Sequence, residues 1–508
     1  MSKDRPSKTL TSNRQEGNKA GRDLVLSAIA ATVACAVMYG TSGLLHTATF
    51  PDLFEDRLVL ALPGPLFGFL IDNLQHAGKV LSEAFLDAGF VFALALLGTA
   101  FYRIARQRSA LLASSLPVAG WLVINLLALE SRPGPPTLTI ASATSTSWFV
   151  VFFSYGISLW VGQGGWSESA ADPGRRRALR LLVVASGSAA VGILTLREVF
   201  IWSKALAPDY AVSGLPPALT PVGDFYLVSK NLADPAIDAS TWMLQILGEC
   251  QNPGAFTLSQ LTTLPSRTEF VTLECISNPV GGKLMSTGAF TGVALKDLVK
   301  LAIPTVQARS VNFRSRDGYT EALDMSIAMS RSDILVAYSL NGGPLPAEHG
   351  YPARVVVPGR YGMKSPKWLD QITLAAKPVA GFWEEQGWDP GEPVHTTARI
   401  DLPSFPAFVK VSDVALGGVA FAGTRGISAV EWSVDSGKSW RQANLESPLG
   451  PLTWQRWTAT WSPDREGIYT LLARARDGTG QVQTSEAMGS YPRGANGYHS
   501  IIVVVEAS

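Results

Sequence analysis

Hydrophobic positions along the chain follow two contrasting patterns. Residues 24–202 contain long runs without charge, whereas residues 203–508 contain short apolar runs broken by Gly, Pro and Asn. An uncharged run of about 20 residues is long enough to cross the hydrocarbon core of a bilayer as a helix. The first part therefore predicts membrane-spanning helices, and the second predicts soluble domains rich in β-strands.

Five runs have the length and composition of membrane-spanning helices. They cover residues 24–45, 84–102, 110–129, 148–162 and 181–202. A further apolar run, residues 58–71, is interrupted by Pro63-Gly64-Pro65. Such a break leaves backbone groups unpaired, which hydrocarbon does not tolerate. We therefore predict that residues 58–71 form an interfacial or re-entrant segment on the outer side of the membrane.

Positive charge orients the five helices. With the N-terminus in the cytoplasm, thirteen Lys and Arg residues lie in cytoplasmic segments, and only Arg57, Lys79 and Arg132 lie in outer loops. Cytoplasmic loops carry the excess of positive charge in membrane proteins. The count therefore supports five spans in a bacterial cell membrane and places everything beyond about residue 203 in the periplasm or outside the cell.

Composition excludes several classes of function. The net charge of +1 gives no general attraction to nucleic acid. The three cysteines are far apart and match no CxxC or CxxCH spacing, which excludes a disulfide scaffold, an attached c-type haem and a cysteine-bound iron–sulfur cluster. No predicted helix carries an interior histidine, so we predict no haem in the membrane and assign the helices mainly to anchoring.

The pattern of runs divides the chain into four parts. Residues 1–22 are predicted to form a cytoplasmic tail and residues 23–205 a transmembrane domain. Residues 206–398 alternate short strands with one stretch of helical spacing, Val293–Leu301, which predicts an α+β domain. Residues 399–508 alternate in short strands and predict an immunoglobulin-like β-sandwich without a disulfide.

Several motifs in the α+β domain occur in a recognisable order. The run FVTLECISN at 270–278 is followed by FTGVAL at 290–295, RDGY at 316–319 and AYSLNGGPL at 337–345. Next come HGYPARVVVPG at 349–359 and YGMKSPKW at 361–368. Together they resemble the molybdopterin-binding domain of the sulfite oxidase family, over about residues 220–398. The C-terminal part resembles the dimerisation domain of the same family, which implies a homodimer.

The resemblance implies a cofactor and its binding residues. Cys275 takes the place of the cysteine that binds molybdenum beside the dithiolene of a single pterin, and a thiolate suits such a metal. Tyr319 matches the active-site tyrosine, and Lys230 stands where sulfite oxidases usually place an arginine. The other residues that the resemblance assigns to cofactor binding are Phe225, Asn231, His349, Arg354, Lys364 and Lys367.

One departure leaves the substrate open. Sulfite oxidases follow the cysteine motif with arginines that hold the anionic substrate, whereas here Asn278 is followed by Pro279-Val280-Gly281-Gly282. The resemblance therefore implies two-electron oxygen-atom transfer on a small sulfur-centred substrate, with sulfite as the first expectation. The segment 225–235 also resembles bacterial periplasmic reductases that repair methionine sulfoxide. A third alternative is a metal-free membrane receptor or assembly protein that retains the fold.

Electron transfer and export complete the expectations. No haem-binding domain is recognisable, so a separate cytochrome or a membrane quinone is expected as redox partner. The segment Arg175-Arg176-Arg177-Ala178-Leu179-Arg180 resembles a twin-arginine export signal placed inside the chain. Three arginines before a helix are also ordinary inside-facing anchors. We favour export, because this cofactor is inserted in the cytoplasm and the domain would cross the membrane folded.

Overall fold

The computed structural model of the protein divides into two compact units, which are described separately. One unit comprises residues 1–58 and 76–207, and the other comprises residues 59–75 and 208–508. The structure describes residues 7–45, 47–54, 62, 64–107, 113–130, 138–166, 173–205, 214–231, 234–389, 393–404 and 407–506.

The N-terminal region is helical. Its long helices among the described residues are α1 (Ser7–Leu45), α2 (Gly64–Gln107), α3 (Ser115–Glu130), α4 (Leu138–Trp166) and α5 (Pro173–Ala205). Three segments within them are long and apolar enough to cross a membrane: Lys19–Leu45, Leu81–Arg106 and Arg176–Arg197. A fourth apolar segment, Ser115–Leu127, is shorter.

These segments correspond in part to the predicted spans. The three long ones overlap the predictions at 24–45, 84–102 and 181–202, and the shorter one lies within the prediction at 110–129. The predicted span at 148–162 lies within α4. Five membrane spans therefore stay a prediction. The interfacial segment predicted at 58–71 lies partly outside the described residues, and from Gly64 onward its backbone forms the start of α2.

Polar contacts join the helices of this region. Arg106 on α2 donates two hydrogen bonds to the buried carboxylate of Asp23 on α1, at 2.9 and 2.5 Å. The Tyr39 hydroxyl donates to Asp87 at 2.6 Å, and the guanidinium of Arg197 lies 3.7 Å from the Tyr39 ring. Buried charges in an apolar bundle are costly unless paired, so these contacts fix which helix faces meet.

The α+β domain contains two five-stranded sheets. The first has the order β2-β1-β10-β5-β6, and the second has the order β3-β4-β7-β8 with β9 added to β7. The strands are β1 (Met243–Gly248), β2 (Gly254–Thr257), β3 (Ser266–Glu274), β4 (Met285–Ala294), β5 (Ser310–Ser315), β6 (Thr320–Asp324), β7 (Leu335–Leu340), β8 (Gly343–Pro344), β9 (Arg354–Val356) and β10 (Leu369–Ala375). Short helices α6 (Leu258–Thr263), α7 (Leu295–Ala302) and α8 (Met325–Ser330) complete the domain.

One hydrophobic core joins the first sheet to α7. Leu295, Leu298 and Val299 on α7 are inaccessible to solvent and pack with Leu244 and Ile372 of the sheet. Their spacing of three and four residues puts them on one face of the helix. The predicted helical stretch is therefore confirmed in place, and it anchors the start of β7 through the Leu295 N–H bond to Ile334 O at 2.8 Å.

The C-terminal region consists of two sheets around one core. One sheet has the order β11-β13-β17-β16, and the other has the order β12-β19-β18-β14-β15. The strands are β11 (Thr397–Leu402), β12 (Ala407–Lys410), β13 (Val414–Phe421), β14 (Ile427–Ser433), β15 (Arg441–Gln442), β16 (Asn444–Leu445), β17 (Gln455–Trp461), β18 (Gly467–Asp477) and β19 (His499–Glu506). Both sheets contribute buried residues to a common core that includes Val430, Trp432, Trp457 and Trp461.

The two β-rich regions pack directly against each other. The Trp454 N–H donates to Thr272 Oγ1 at 2.7 Å, and the Trp454 indole donates to Ala218 O at 3.0 Å. Ile276 and Met285, which flank the loop after β3, share a hydrophobic cluster with Val419 and Phe421 of β13. The C-terminal region therefore supports the loop that carries Cys275.

Candidate active site

Cys275 lies in a tight loop at the end of β3. Its N–H donates to Leu284 O at 2.9 Å, and its carbonyl accepts from the Asn278 N–H at 3.0 Å, so the loop folds back on itself. The thiol is buried, and its sulfur lies 3.0 Å from Ser277 Oγ. Burial raises the pKa of Cys275, while hydrogen bonds from Ser277 and the Ile276 backbone oppose that shift. These donors are suited to a sulfur that carries negative charge as a metal ligand.

Phe225 and Tyr226 pack against β4, which follows the cysteine loop. Phe225 is buried, with its ring centroid 5.3 Å from that of His349 and 6.0 Å from that of Phe290. The Tyr226 N–H donates to Ser286 Oγ at 3.0 Å. A Cβ placed on Gly362 would lie 2.6 Å from the Tyr226 hydroxyl and 3.4 Å from Glu274 O. Tyr226 therefore lies between the cysteine loop and the turn at Gly362–Lys364, a position that the sequence analysis did not assign.

Tyr319 lies just before β6, with its phenol directed inward. Its hydroxyl donates to Met363 O at 2.7 Å, and its ring centroid lies 5.9 Å from that of Phe382. Burial raises the pKa of Tyr319, and the negative charges of Glu321, Asp317, Glu384 and Cys275 raise it further. The phenol is therefore held protonated as a hydrogen-bond donor near the cysteine.

Lys230 and Asn231 approach the same region from another segment. Lys230 is buried, and its Nζ lies 5.1 Å from the centroid of the Phe382 ring. Asn231 donates from Nδ2 to Asp317 Oδ2 at 2.9 Å, and the Tyr319 N–H donates to Asp317 Oδ1 at 3.1 Å. Asp317 and Phe382 thus bring Lys230, Asn231 and Tyr319 together, and the roles that the resemblance implies for them stay a prediction.

His349 and Arg354 form a buried basic pair. Arg354 donates to His349 O at 3.1 Å and to Ser365 O at 3.0 Å. Burial lowers the pKa of Arg354 to about 10. Burial and the charges of Arg354 and Lys367 lower the pKa of His349 to about 4, so its ring is neutral near pH 7. Gly350 has a φ of +106°, and a Cβ there would lie 2.9 Å from Lys367 Cβ, so only glycine fits this turn.

The two predicted lysines occupy different environments. Lys364 donates from Nζ to Glu321 Oε1 at 2.6 Å and to Glu384 Oε1 at 2.7 Å. Lys367 donates from Nζ to Glu348 O at 2.9 Å, and its Nζ lies 4.2 Å from the centroid of the Trp368 ring. Lys364 is thus held by carboxylates, and its predicted role in cofactor binding stays a prediction.

Two buried acids near the site were not predicted from sequence. Burial raises the pKa of Glu274 to about 7, although Asn278 donates a hydrogen bond to it and Arg399 lies near. Burial raises the pKa of Glu321 to about 8, with Lys364 opposing the shift. Glu274 is the neighbour of Cys275, and Glu321 follows Tyr319 by two positions, so proximity to the motif residues was the available signal.

The donor set fits the expected cofactor. A molybdenum centre that receives two sulfurs from a pterin needs one further thiolate, and Cys275 offers it from a buried loop with hydrogen-bond donors around the sulfur. Among the described residues, no group of three or more His, Cys, Asp and Glu could hold a metal ion. The pterin's phosphate and polar ring edge need cations and neutral polar groups, which Arg354, Lys367 and His349 provide, and His349 lies beside the Phe225 ring.

Comparisons with known proteins identify the class of this domain. Residues 231–383 match the family model of the oxidoreductase molybdopterin binding domain. The chain is 28% identical to the sulfite oxidase of Arabidopsis thaliana over 285 residues, which is 46% of this chain and 71% of that protein. It is 28% identical to the mitochondrial sulfite oxidase of Drosophila melanogaster over 337 residues, which is 56% of this chain and 59% of that protein.

A nitrate reductase and a sulfane dehydrogenase are also similar to the chain. The chain is 28% identical to an NADPH nitrate reductase of Fusarium oxysporum over 268 residues, which is 42% of this chain and 29% of that protein. The crystal structure of the sulfane dehydrogenase SoxCD from Paracoccus pantotrophus superposes with a TM-score of 0.53 at 23% identity, covering 59% of this chain and 86% of that one. At this identity the superposition shows a shared fold.

Fold, site and relatives together define a molybdenum-cofactor oxidoreductase. The arrangement around Cys275 agrees with that class. Within that class, the aligned part of the chain is similar to sulfite oxidases. The aligned parts cover between about a third and about two thirds of most of these relatives, so their complete activities are not transferred to this chain.

Proposed function

We propose that the protein is a membrane-anchored molybdopterin-dependent enzyme that transfers an oxygen atom to or from a small sulfur-centred substrate. The observation that carries the proposal is the buried Cys275 loop, with hydrogen-bond donors at the sulfur and with Tyr319 and Tyr226 within electrostatic reach of it. When bound, the molybdenum cofactor supplies two-electron oxygen-atom transfer between the +6 and +4 states of the metal. The protein supplies ligation, orientation and charge.

The protein's own groups divide into two sets. Tyr319 donates a hydrogen bond at the reacting end, and Lys230 supplies a positive charge there, which is held near the Phe382 ring. Phe225, Asn231, His349, Arg354 and Lys367 bind and orient the pterin, and Lys364 contributes its positive charge nearby while it is bound to Glu321 and Glu384. Because His349 is neutral near pH 7 and hydrogen-bonds the Val222 backbone, its other ring nitrogen is left as an acceptor for the polar edge of the pterin.

Sulfite is the first candidate substrate, as the sulfite oxidase relatives suggest. The segment after Cys275 favours a second candidate, a neutral sulfoxide that is reduced. It has Pro279-Val280-Gly281-Gly282 where sulfite oxidases place arginines that hold the anionic substrate. A sulfite dianion loses the attraction of those cations, whereas a sulfoxide carries no net charge.

The membrane region determines where the reaction occurs. Three apolar segments long enough to span a bilayer, together with the asymmetry of positive charge, support a multi-pass anchor in a bacterial membrane. We propose that the N-terminus is cytoplasmic and that the catalytic domain lies on the outer side. Electrons then pass to or from a separate cytochrome or a membrane quinone. The C-terminal sandwich, which we interpret as immunoglobulin-like, is proposed to form a homodimer.

Metal analysis tests the proposal. The full chain, produced in a host that makes the cofactor, is expected to contain one molybdenum and one pterin per chain by mass spectrometry. Cys275→Ala should lose molybdenum. Cys250→Ala is the control and should keep it, because Cys250 is a free, partly buried thiol that packs against the hydrophobic core. Sulfite and sulfoxides are then assayed with a redox dye. A wild-type protein without molybdenum would contradict the proposal and leave a metal-free binding protein.

A further inference from the structure

Two carboxyl groups lie side by side next to the candidate active site. Glu321 on β6 is inaccessible to solvent, whereas the side chain of Glu384, in the turn after Gly381, is 22% exposed. Lys364 Nζ donates to Glu321 Oε1 at 2.6 Å and to Glu384 Oε1 at 2.7 Å. One ammonium group therefore bridges an inner carboxyl group and an outer one.

The charges of Glu321, Glu384 and Lys364 require that one of the two carboxyl groups is protonated. Two carboxylates and one ammonium would leave a net negative charge in a buried place, which is unfavourable. Burial raises the pKa of Glu321 to about 8. Burial alone would also raise the pKa of Glu384, but hydrogen bonds from Lys364 and the Gly381 N–H lower it. At neutral pH the proton therefore resides on Glu321.

One oxygen of Glu321 is available to carry that proton. Oε1 accepts from Lys364 and from the Ala322 N–H at 2.8 Å. Oε2 is buried and has no hydrogen-bond partner among the described residues. The groups that face Glu321 are Lys364 from the turn at Gly362–Lys364, Glu384 from the turn after Gly381, and Tyr319 from its own hairpin.

The cluster is next to Tyr319. Residues two apart on an extended strand point to the same face and lie about 7 Å apart, which places Glu321 on the side of Tyr319. The Tyr319 hydroxyl donates to the carbonyl of Met363, the residue before Lys364. The Phe382 N–H donates to Thr320 O at 3.0 Å, which holds the turn that carries Glu384 against the same hairpin.

Oxygen-atom transfer at a buried site needs a route for protons. Oxidation of sulfite by water yields sulfate, two protons and two electrons. Reduction of a sulfoxide consumes two protons and two electrons and yields a thioether and water. In either direction the electrons pass to or from the cytochrome or quinone of the proposed function, and the protons must cross the protein between Tyr319 and solvent.

We propose that Glu321 and Glu384 form a proton relay between the buried oxygen-transfer site at Tyr319 and solvent, with Lys364 holding the two carboxyl groups together. Glu321 is the inner member, which exchanges protons with the site. Glu384 is the outer member, which exchanges them with water. The relay rests on the proposed function, but it does not depend on which sulfur substrate is used or on the direction of the reaction.

Glutamine substitutions in the full, cofactor-loaded chain test the relay. Glutamine keeps the shape of glutamate and still accepts from Lys364, but it cannot carry the transferred proton. Glu321→Gln and Glu384→Gln should bind molybdenum as the wild type does and turn over about 100-fold more slowly, with a larger solvent deuterium isotope effect. Formate added in solution should restore part of the turnover of Glu384→Gln, which a purely structural role would not allow.

Asp333→Asn is the matched control, because Asp333 is also 22% exposed and is paired with Arg331 at 2.6 Å. This variant should behave as the wild type does.

Infrared spectroscopy supplies a second measurement that needs no turnover. The wild-type chain should show C=O stretches of protonated carboxyl groups at pH 7. The band of Glu321 should persist to about pH 8 and be missing from Glu321→Gln, whereas the band of Glu274, whose pKa is about 7, should remain in that variant. If Glu321→Gln does not fold, the turnover of Glu384→Gln and the pH dependence of the wild-type band still test the relay. Unchanged turnover and isotope effect in both variants would overturn the relay alone. A wild type without turnover would overturn the proposed function and the relay with it.

Discussion

The side-chain amide of Asn278 donates a 2.9 Å hydrogen bond to Glu274 Oε1, so the residues on the two sides of Cys275 are tied together. The same amide group accepts from the Leu284 N–H at 2.9 Å through its oxygen. One asparagine thus closes both ends of the loop. Glu274 Oε2 is buried and has no hydrogen-bond partner among the described residues. The bond from Asn278 to Oε1 is therefore the side-chain hydrogen bond that stabilises this carboxyl group.

Asn278→Ala should destabilise the β-rich unit. The substitution leaves the buried Glu274 Oε1 and the partly buried Leu284 N–H without these partners, and an unsatisfied buried group costs about 1–3 kcal/mol. Calorimetry should show an unfolding temperature lower by about 5 °C or more. Asn252→Ala is the control, because Asn252 makes its 2.9 Å bond to Leu301 O on an exposed surface. Equal shifts for the two variants would show that the loop is not held as described.

Gly281 is a second position where the cysteine loop depends on one residue. Its φ is +76°, and a Cβ would lie 2.2 Å from the His499 ring. His499 is fixed in turn, because its Nδ1 accepts from the Ile400 N–H at 2.9 Å. The C-terminal region therefore limits which residue can follow the metal-ligand motif.

Gly281→Ala should cost more stability than its backbone conformation alone explains. Gly342 provides the comparison, since its φ is +83° and a Cβ there would meet nothing within 4 Å. Gly342→Ala should cost about 1 kcal/mol for the left-handed conformation. Gly281→Ala adds the clash with His499 and should exceed about 3 kcal/mol, with a matching loss of bound molybdenum. Similar unfolding temperatures for the two variants would contradict the contact between the loop and His499.

Sequence patterns predicted the helices, because their apolar positions recur at a regular spacing. Apolar runs located the helices, and the spacing of Leu295, Leu298 and Val299 located α7. They placed the start of α1 poorly, because the helix begins at Ser7 although the predicted apolar run begins at Leu24. A helix continues as long as its backbone bonds are favourable, and hydropathy does not report where that ends.

The site was predictable only where residue types carry chemistry by themselves. Cys275, Tyr319 and His349 stand in motifs, and the structure places them in one region. Glu321 was missed because a charged residue type is ordinarily assigned to the surface. Its burial depends on Lys364, 43 positions later, and such long-range pairs are set by the fold. The bond from Arg399 to Gly282 O, across 117 positions, was likewise beyond any local pattern.

Export by the twin-arginine route predicts a specific effect of charge-conserving substitutions. Arg175→Lys combined with Arg176→Lys keeps both positive charges but removes the paired arginines, so the catalytic domain should stay in the cytoplasm. Arg177→Lys combined with Arg180→Lys is the matched control and should be exported. Protease added to intact spheroplasts measures the location. Normal exposure of the first double variant would show that these arginines act as ordinary anchors.

The buried imidazole of His349 predicts an acid-sensitive component of stability. Burial lowers its pKa to about 4 from an ordinary 6.5, with the charges of Arg354 and Lys367 adding to the effect and a hydrogen bond to the Val222 backbone opposing it. The unfolded chain therefore binds a proton below about pH 6.5 that the folded chain does not bind until about pH 4. The folded state loses stability over this window, by about 2 kcal/mol at pH 5.

Glu274 and Glu321, whose pKa values are raised, act in the opposite direction, so the wild type alone cannot separate the two effects. Comparing the wild type with His349→Gln by calorimetry at pH 7.5 and 5.0 separates them, because the variant keeps both carboxyl groups. The wild type should lose more stability on acidification than the variant does, and equal losses would show that His349 is protonated in the folded protein.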